Sequence, residues 1–299
     1  DGIYKTMGAV DHFINSYPED GGCSEGPGYW GAASGRLFDY LTLLQKASQG
    51  KIDIFSNELI QNMGRYIYRV YVSKGEYYVN FADAQAKLHH NGGLIYRYGK
   101  AIQDPAMQQF GAYLLSKSNG VERMTSGRLG SNLETLFSPE DWQSVPKTEP
   151  LLKQYYLPNL DVAIARDKEG TDQGFYFAAK GGHNNEQHNH NDVGSFILSY
   201  NGNPVLLDVG VGTYTRETFS KERYTIWTMQ SNYHNVPLIN GVAQRQGRNF
   251  AAQKSTFTDT KTGVRFSTDI SGAYPKEAQV KSWERAYQLE RGKKFVIQD

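Results

Sequence analysis

The chain has only one cysteine, Cys23, among its 299 residues. No internal disulfide can form, so packing alone must hold the fold together. Apolar runs long enough to span a membrane are missing, and the sequence as given contains no signal-peptide pattern. A charge excess is missing as well, because 32 Lys and Arg face 31 Asp and Glu. Neither a nucleic acid nor a membrane is therefore indicated as a partner.

Aromatic residues, by contrast, are abundant. They make up 13% of the chain and include 21 tyrosines. A tyrosine surplus is typical of grooves that stack on sugar rings, but antiparallel sheets also favour tyrosine. Composition therefore leaves both interpretations open, and the length allows two domains of ordinary size.

The sequence pattern changes character near residue 150. Before it, apolar residues recur at the three- and four-residue spacing of helices over 4–14, 36–45, 58–72 and 106–115, with a further short helix expected within 131–142. After it, short alternating runs occur at 160–166, 174–180, 194–200, 204–210, 236–239, 263–269 and 282–291. We expect a helical domain over 1–145 and an antiparallel β-sandwich over 146–299. Paired helices in the first half suit an α/α toroid.

Histidines are concentrated in the second half, where four of the seven lie between residues 181 and 234. A polar run ending in His188-Asn189-His190 leads into the alternating pattern that starts near Phe196, as a loop does when it enters a strand. Residues two apart on a strand share a face, so His188 and His190 are expected to point the same way.

A metal site is one interpretation of these residues. Asp208 interrupts an otherwise apolar run and needs a partner if it is buried, and His234 follows further along the chain. With His190 they form a two-histidine, one-carboxylate set suited to Zn²⁺, although each residue alone is usually an ordinary core or surface residue. His188 would lie beside the metal, available for acid–base chemistry. The asparagines expected to orient the rings are Asn189, Asn191 and Asn235.

A glycine-rich segment in the first half covers residues 20–31 and carries Tyr29 and Trp30 near its end. Such a loop at a helix start can present aromatic side chains at the rim of a site. It can equally be a turn that caps a helix and packs an aromatic residue against it.

Several motifs together resemble one family. They are Glu-Gly-Pro-Gly-Tyr-Trp-Gly at 25–31, Gly-Gly-His at 181–183, Gln-His-Asn-His-Asn-Asp-Val-Gly-Ser-Phe at 187–196, Leu-Leu-Asp-Val-Gly at 206–210, Tyr-His-Asn at 233–235 and Asn-Gly-Val-Ala-Gln at 240–244. This set is similar to the heparinase II/III-like polysaccharide lyases, most closely heparinase II, and more weakly to alginate lyases. The resemblance implies an α+β multidomain fold, in which the C-terminal part of an incomplete α/α toroid precedes an antiparallel β-sandwich.

The resemblance also implies a reaction, the β-eliminative cleavage of a glycosaminoglycan of the heparin or heparan sulfate kind. Tyr29 matches the family's acid, which for one C5 epimer is also the base. His188 matches the histidine that neutralises the uronate or relays protons. The same resemblance implies that His190, Asp208 and His234 hold a structural Zn²⁺. Residues considered as substrate contacts are Glu25, Trp30, Tyr214 and Tyr224.

One family feature is missing from the sequence. A toroid histidine is expected about fifty to sixty residues before the tyrosine, and this chain begins too late to include it. His12 is not at that spacing, and His89 and His90 are either cleft or surface residues. We therefore expect a piece of a longer protein, truncated at both ends and impaired in catalysis. The resemblance implies a periplasmic or secreted protein whose partner is an acidic polysaccharide, with self-association left open.

Other functions stay open at this point. Alginate or another uronate polymer is an alternative substrate for the same architecture. A metal-dependent hydrolase built on His-x-His is a second alternative, although such enzymes use parallel barrels and the runs here look antiparallel. A third is a non-catalytic carbohydrate-binding protein with a structural metal.

Overall fold

The computed structural model describes residues 2–117, 129–137 and 142–299. It divides into two compact units. The helical unit comprises Asp1–Cys23, Tyr29–Tyr71 and Leu88–Pro150, and the sandwich unit comprises Ser24–Gly28, Val72–Lys87 and Leu151–Asp299. Two short segments from the helix-rich half of the sequence therefore pack with the sandwich unit. The fold is α+β, as the sequence predicts.

The described part of the helical unit contains six α-helices: α1 (Gly2–Ser16), α2 (Ser34–Ala47), α3 (Glu58–Arg69), α4 (Gly92–Ala101), α5 (Pro105–Lys117) and α6 (Leu129–Leu136). The four helices predicted from the spacing of apolar residues are present as α1, α2, α3 and α5. Of the segment 131–142, the first part lies in α6 and residues 138–141 lie outside the described residues. No described helix combines the length and hydropathy that crossing a bilayer requires.

Helix α4 is missing from the sequence-based expectations, and its burial explains why. Seven of its ten residues are buried, so it lacks the contrast between an apolar and a polar face. Its start is nonetheless specified locally, because the side chain of Asn91 accepts a hydrogen bond from the backbone N–H of Leu94 at 3.0 Å. A helix buried on most sides is hard to recognise by periodicity.

Two antiparallel sheets dominate the sandwich unit. The five-stranded sheet has the order β3-β4-β5-β7-β8, with β3 (Gln154–Leu157), β4 (Val162–Arg166), β5 (Phe175–Lys180), β7 (Phe196–Tyr200) and β8 (Asn203–Leu206). The four-stranded sheet has the order β10-β11-β12-β13, with β10 (Gln253–Asp259), β11 (Gly263–Asp269), β12 (Glu284–Glu290) and β13 (Lys294–Gln298). Two small ribbons pair β1 (Tyr71–Ser73) with β2 (Tyr77–Tyr78) and β6 (His183–Asn184) with β9 (Gly247–Ala251).

One buried cluster joins the inner faces of the two large sheets. The cluster includes Ala163 and Ala165 of β4 and Phe266 of β11, and the rings of Phe196 in β7 and Tyr287 in β12 lie 5.7 Å apart within it. Alternate residues of each strand enter the cluster, which is the pattern of a sheet with one buried face. The predicted antiparallel sandwich is confirmed.

Three local expectations are wrong. Residues 236–239 form no strand, only an isolated bridge from Ile239 to Val242. Strand β8 ends at Leu206, so Asp208 follows the strand instead of interrupting it. His188 and His190 lie in the loop between β6 and β7, where His188 adopts a left-handed conformation with φ of 53°. Residues 185–195 belong to no strand, so strand alternation does not orient their side chains.

Candidate metal centre and active site

Three predicted metal ligands meet inside the sandwich unit. His190 comes from the loop before β7, Asp208 from the segment after β8, and His234 from the end of a one-turn helix, Ser231–Tyr233. All three are buried, and their candidate ligand atoms lie within 4.8 Å of one another. The structure therefore brings together the set that the sequence predicts.

The ring of His190 presents an unused ligand atom to this cluster. Its Nε2 lies 2.8 Å from Oδ1 of Asp83, and because the carboxylate can only accept, Nε2 is the protonated nitrogen. Its Nδ1 is then a lone pair, buried and without a hydrogen-bond partner among the described residues. A buried lone pair without a donor is costly, and a metal ion would satisfy it.

His234 shows the same arrangement with a different acceptor. Its Nε2 lies 3.0 Å from the backbone oxygen of Thr228, so Nε2 carries a proton and donates it. Its Nδ1 lies 2.8 Å from Oδ2 of Asp208. Burial lowers the pKa of His234, but the Asp208 carboxylate outweighs burial and raises it above its ordinary value. Without a metal the two side chains form a buried ion pair, and with one they offer a nitrogen and an oxygen as ligands.

The remaining contacts of Asp208 hold its carboxylate in place. Oδ1 accepts the backbone N–H of Gly210 at 3.0 Å, and Oδ2 accepts the hydroxyl of Ser195 at 3.3 Å. Burial raises the pKa of Asp208, but His234 outweighs it and keeps that pKa below its usual range. Two imidazole nitrogens and one ionised carboxylate form a donor set that fits Zn²⁺.

Asp83 is the residue that the sequence-based predictions missed. Its carboxylate is contacted by four side chains: His188 at 2.6 Å, His190 at 2.8 Å, Arg223 at 2.8 Å and Tyr214 at 3.0 Å. Burial raises the pKa of Asp83, but hydrogen bonds from His190, Arg223 and His188 lower it well below its usual range. Asp83 is therefore a fixed negative charge at the centre of the site. The sequence around Asp83 indicates only that this carboxylate would need hydrogen-bond donors if it were buried. It does not indicate which residues supply them.

His188 lies at the exposed side of this cluster. Its Nδ1 faces Oδ2 of Asp83 and lies 3.4 Å from the hydroxyl of Tyr214, while its Nε2 lies 3.6 Å from Oε2 of Glu25. The side chain is 20% exposed, unlike that of the fully buried His190. A left-handed backbone conformation outside glycine is strained and is common at functional sites. An imidazole that is held by a carboxylate on one nitrogen and is partly exposed suits proton transfer.

The segment that carries Asp83 is held against the metal-ligand region. The side-chain amide of Asn80 donates to the backbone oxygen of Asp208 at 3.0 Å. Gly26, with φ of 87°, approaches the same segment so closely that a Cβ there would lie 2.8 Å from the backbone oxygen of Phe81. Only glycine combines that φ with that approach at low cost.

The two predicted aromatic residues of the helical unit differ in exposure. Tyr29 ends the one-turn helix Pro27–Tyr29 and is half-buried. Trp30 has no exposed surface, and its indole N–H donates to the backbone oxygen of Met63 at 2.8 Å. His90 is buried against the Trp30 ring, whereas His89 is exposed. The expectation that Trp30 contacts substrate is corrected, because the side chain belongs to the core of the helical unit.

The asparagines near the site stabilise loops and do not orient the histidine rings. Asn235 donates to the backbone oxygens of Phe196 and Leu207, at 2.8 Å and 3.1 Å. The amide of Asn189 donates to Asn191 and to the hydroxyl of Tyr224. The ring N–H groups are instead taken by the Asp83 carboxylate and the Thr228 carbonyl, which are better acceptors for a buried imidazole. This part of the sequence-based prediction is wrong.

The two predicted tyrosines of the sandwich unit lie near these contacts. Tyr214 is 39% exposed, and its hydroxyl touches both Asp83 and His188. Tyr224 is half-buried, and burial raises the pKa of its hydroxyl. Tyr214 therefore has the surface that a substrate contact needs, and Tyr224 has part of it.

The sandwich unit matches a known protein family. Residues 157–299 match the family described as heparinase II/III-like, C-terminal. These residues form a heparinase II/III-like C-terminal domain. This match includes the candidate metal ligands and His188, whereas Asp83 and Tyr29 precede it. The predicted family is confirmed, and the particular likeness to heparinase II stays a prediction.

Solved structures extend the similarity to nearly the whole chain. A heparan sulfate lyase, HepC, from Pedobacter heparinus has a TM-score of 0.68 at 13% identity over 96% of this chain and 39% of its own. A heparinase III with methylated lysines has a TM-score of 0.66 at 16% identity, over 97% and 40%. Another heparinase III has a TM-score of 0.66 at 15% identity, over 96% and 41%. At such identities the likeness shows the fold alone, and the chain spans about 40% of these proteins' length. No curated protein sequence matches the chain significantly.

Proposed function

We propose that the protein carrying this chain is a polysaccharide lyase that cleaves uronic acid-containing glycosaminoglycans, heparin or heparan sulfate in kind, by β-elimination. One observation carries the proposal. His188 is held by the Asp83 carboxylate at 2.6 Å, and its side chain is still 20% exposed at the surface of the sandwich unit. The heparinase II/III-like domain at 157–299 and the fold of the similar lyases support the same activity.

The reaction needs three things from the protein. A base removes the proton on C5, the carbon next to the uronate carboxylate, whose charge must be neutralised as a carbanion-like state develops. The C4–O bond then breaks and a C4–C5 double bond forms. An acid protonates the departing glycosidic oxygen, so that protons and electron pairs balance without an added reactant.

We assign the proton transfers to Tyr29 and His188. The hydroxyl of Tyr29 protonates the leaving oxygen and, for one C5 epimer, also takes the C5 proton. His188 uses Nε2 to neutralise the uronate or to relay a proton, because its Nδ1 is engaged by Asp83. Glu25, Tyr214 and Tyr224 are proposed as substrate contacts, with Tyr214 the most exposed side chain of the His188 surroundings.

The metal in this proposal is a Zn²⁺ held by His190, Asp208 and His234. When bound, it supplies a structural cross-link between three segments of the sandwich unit. His190 and Asp208 orient neighbouring groups through their own contacts, since His190 hydrogen-bonds Asp83 and the backbone of Asp208 accepts from Asn80. We assign these residues no direct part in bond breaking.

The remaining assignments extend the family resemblance. We propose that the helices of residues 1–145 are part of an α/α toroid and that residues 146–299 are part of the sandwich domain. The protein is proposed to act in the periplasm or outside the cell, where acidic polysaccharides occur. Alginate or another uronate polymer is the alternative substrate for the same residues.

The test is a screen of the full-length protein against heparin, heparan sulfate, chondroitin sulfate and alginate. A lyase produces an unsaturated uronate at the new chain end, detected by its ultraviolet absorbance and by mass spectrometry. A hydrolase would add water instead, and a binding protein would leave the polymers intact. Saturated products, or no cleavage of any polymer by zinc-loaded protein, would overturn the proposal.

A further inference from the structure

We propose that Asp83 is a positioning residue that couples the metal site to His188, by setting which ring nitrogen carries the proton in both His188 and His190. The role of His188 in this inference rests on the proposed function. The coupling itself rests on contacts within the sandwich unit, in which one buried carboxylate serves two histidines with different tasks.

The two oxygens of Asp83 are divided between the two rings. Oδ1 faces Nε2 of His190 at 2.8 Å, and Oδ2 faces Nδ1 of His188 at 2.6 Å. Each oxygen also accepts a second donor, Nη2 of Arg223 on Oδ1 and the hydroxyl of Tyr214 on Oδ2. Four donors on one carboxylate leave it no freedom to rotate without breaking contacts.

For His190, the consequence is that the neutral ring offers the correct nitrogen to a metal ion. Because Nε2 donates to Asp83, Nδ1 holds the lone pair, and this is the atom buried without a partner beside the metal-ligand cluster. The ring of a metal-bound histidine is commonly fixed by such an acceptor, and losing it weakens metal binding about 10–100-fold.

For His188, the consequence is the opposite tautomer. In the neutral ring Nδ1 carries the proton and donates to Asp83, so Nε2, which lies 3.6 Å from Glu25, is the atom that gains a proton when His188 neutralises the uronate or relays a proton. The backbone of His188 is in the left-handed region and gains no strand hydrogen bonds, so its side-chain contacts must hold the ring. A catalytic imidazole in the wrong tautomer loses most of its activity even when the geometry survives.

The shared carboxylate makes the two rings interdependent. A metal ion bound by Nδ1 of His190 would strengthen donation from Nε2 to Oδ1 of Asp83, and the second oxygen of Asp83 cannot move independently of the first. Asn80 donates to the backbone oxygen of Asp208, and Gly26 approaches both Phe81 and Ala84 closely, so the segment that carries this carboxylate has little room to shift. Loading the metal should therefore order the His188 ring, although His188 is not a ligand.

The test compares Asp83→Asn with Asp167→Asn in the full-length protein. An amide keeps the shape of the carboxylate but replaces one acceptor with a donor, so one histidine must face an N–H. Asp167 is a matched control, since its two oxygens also accept separate donors, the backbone N–H groups of Phe175 and Gly292, neither of them a histidine. Zinc affinity is measured by competition with a chelator. The signals of the histidine ring nitrogens are measured by NMR, and the signals of His188 are identified by their absence from His188→Gln.

In the wild type, we expect zinc to sharpen the His188 ring signals and fix one tautomer. In Asp83→Asn, we expect zinc affinity to fall about 10–100-fold and the His188 signals to lose their response to zinc. Turnover should fall with KM little changed, because ring orientation matters more in the transition state than in binding. Asp167→Asn should match the wild type in all these measurements.

Results of two kinds would overturn the coupling. One is wild-type protein that binds no zinc, or whose His188 signals ignore zinc, and this measurement decides the matter even if Asp83→Asn fails to fold. The other is Asp83→Asn with unchanged zinc affinity and an unchanged His188 tautomer. Failure of the lyase proposal is distinguishable, since it would leave zinc affinity and ring signals as expected while no polymer is cleaved.

Discussion

His190 donates its Nε2 proton to Oδ1 of Asp83 across 2.8 Å, although the two residues are 107 positions apart in the sequence. This hydrogen bond engages Nε2 of His190 and leaves Nδ1 as the ring nitrogen without a partner among the described residues. It also ties a segment from the helix-rich half of the sequence to the candidate metal centre in the sandwich unit. The candidate metal centre therefore includes a contact from outside the domain match at 157–299.

Replacing a metal ligand should remove both metal and stability. Asp208→Ala deletes one of three donors and leaves His234 without its carboxylate partner. We expect loss of bound zinc and a fall in unfolding free energy of about 2–5 kcal/mol, similar to the loss of other structural cross-links. Elemental analysis and thermal unfolding measure the two effects. Zinc-free wild-type protein together with an unchanged melting temperature for Asp208→Ala would contradict this prediction.

The proposed acid–base residues should affect turnover without affecting metal content. Tyr29→Phe removes only a hydroxyl, and His188→Ala removes a ring that is not a ligand. Each should reduce the turnover of the full-length protein about 10²–10⁴-fold, the usual range for one acid–base catalyst. Bound zinc and the melting temperature provide the control and should stay at wild-type levels. Near-normal turnover by Tyr29→Phe would mean that the hydroxyl is structural.

Gly26 is far in the sequence from the candidate metal ligands, but we expect it to affect zinc binding through the position of Asp83. Gly26→Ala places a Cβ 2.8 Å from the backbone oxygen of Phe81, at a φ of 87°. The segment carrying Asp83 must shift, so we expect weaker zinc binding and a stability loss of about 1–3 kcal/mol.

Gly170→Ala is the control for this change. Gly170 has a similar φ of 72° but nothing within 4 Å of an added Cβ, so only backbone strain applies. Its zinc affinity, measured by the same chelator competition, should equal that of the wild type. Equal zinc affinities for the Gly26 and Gly170 variants would show that the contact with Phe81 does not position Asp83.

The stability of the sandwich unit should depend on pH through Asp269. Burial raises the pKa of Asp269, but hydrogen bonds from Ser271 and Trp283 outweigh burial and lower it. A carboxylate with a lowered folded pKa contributes stability above its unfolded pKa of about 3.9 and loses it as pH falls through the folded value.

Asp269→Asn keeps the oxygen that accepts both N–H groups but removes its negative charge, so this variant should be less stable than the wild type at neutral pH, by less than about 1 kcal/mol, the net value of one such hydrogen bond. The difference should shrink as the pH falls below about 4. Chemical denaturation at neutral pH and at a pH below about 4 measures this difference in stability. Asp259→Asn is the control, because the Asp259 side chain is exposed. A difference that grows toward low pH would have the wrong sign and refute the assignment.

Prediction from sequence succeeded where local pattern carries the information. Alternating runs with Gly and Asn breaks identify most strands of the sandwich, and the motifs single out His190, Asp208 and His234, whose candidate ligand atoms lie within 4.8 Å of one another. Prediction from sequence failed where burial, or contact between residues far apart in the chain, determines the structure. Helix α4 is buried on most sides and shows no polar face, and Trp30 follows a glycine-rich loop yet lies wholly inside the core.

The sequence by itself determined the kinds of side chain available and the local periodicity that makes helices first and antiparallel strands later. Both are properties of near neighbours, since side-chain direction repeats every two or 3.6 residues. Only the tertiary structure decided which nitrogen of each histidine donates to an acceptor. The acceptor is the Asp83 carboxylate for His188 and His190 and the Thr228 carbonyl for His234. For both Asp83 contacts the partners lie more than a hundred residues apart, where periodicity carries no information about which groups meet.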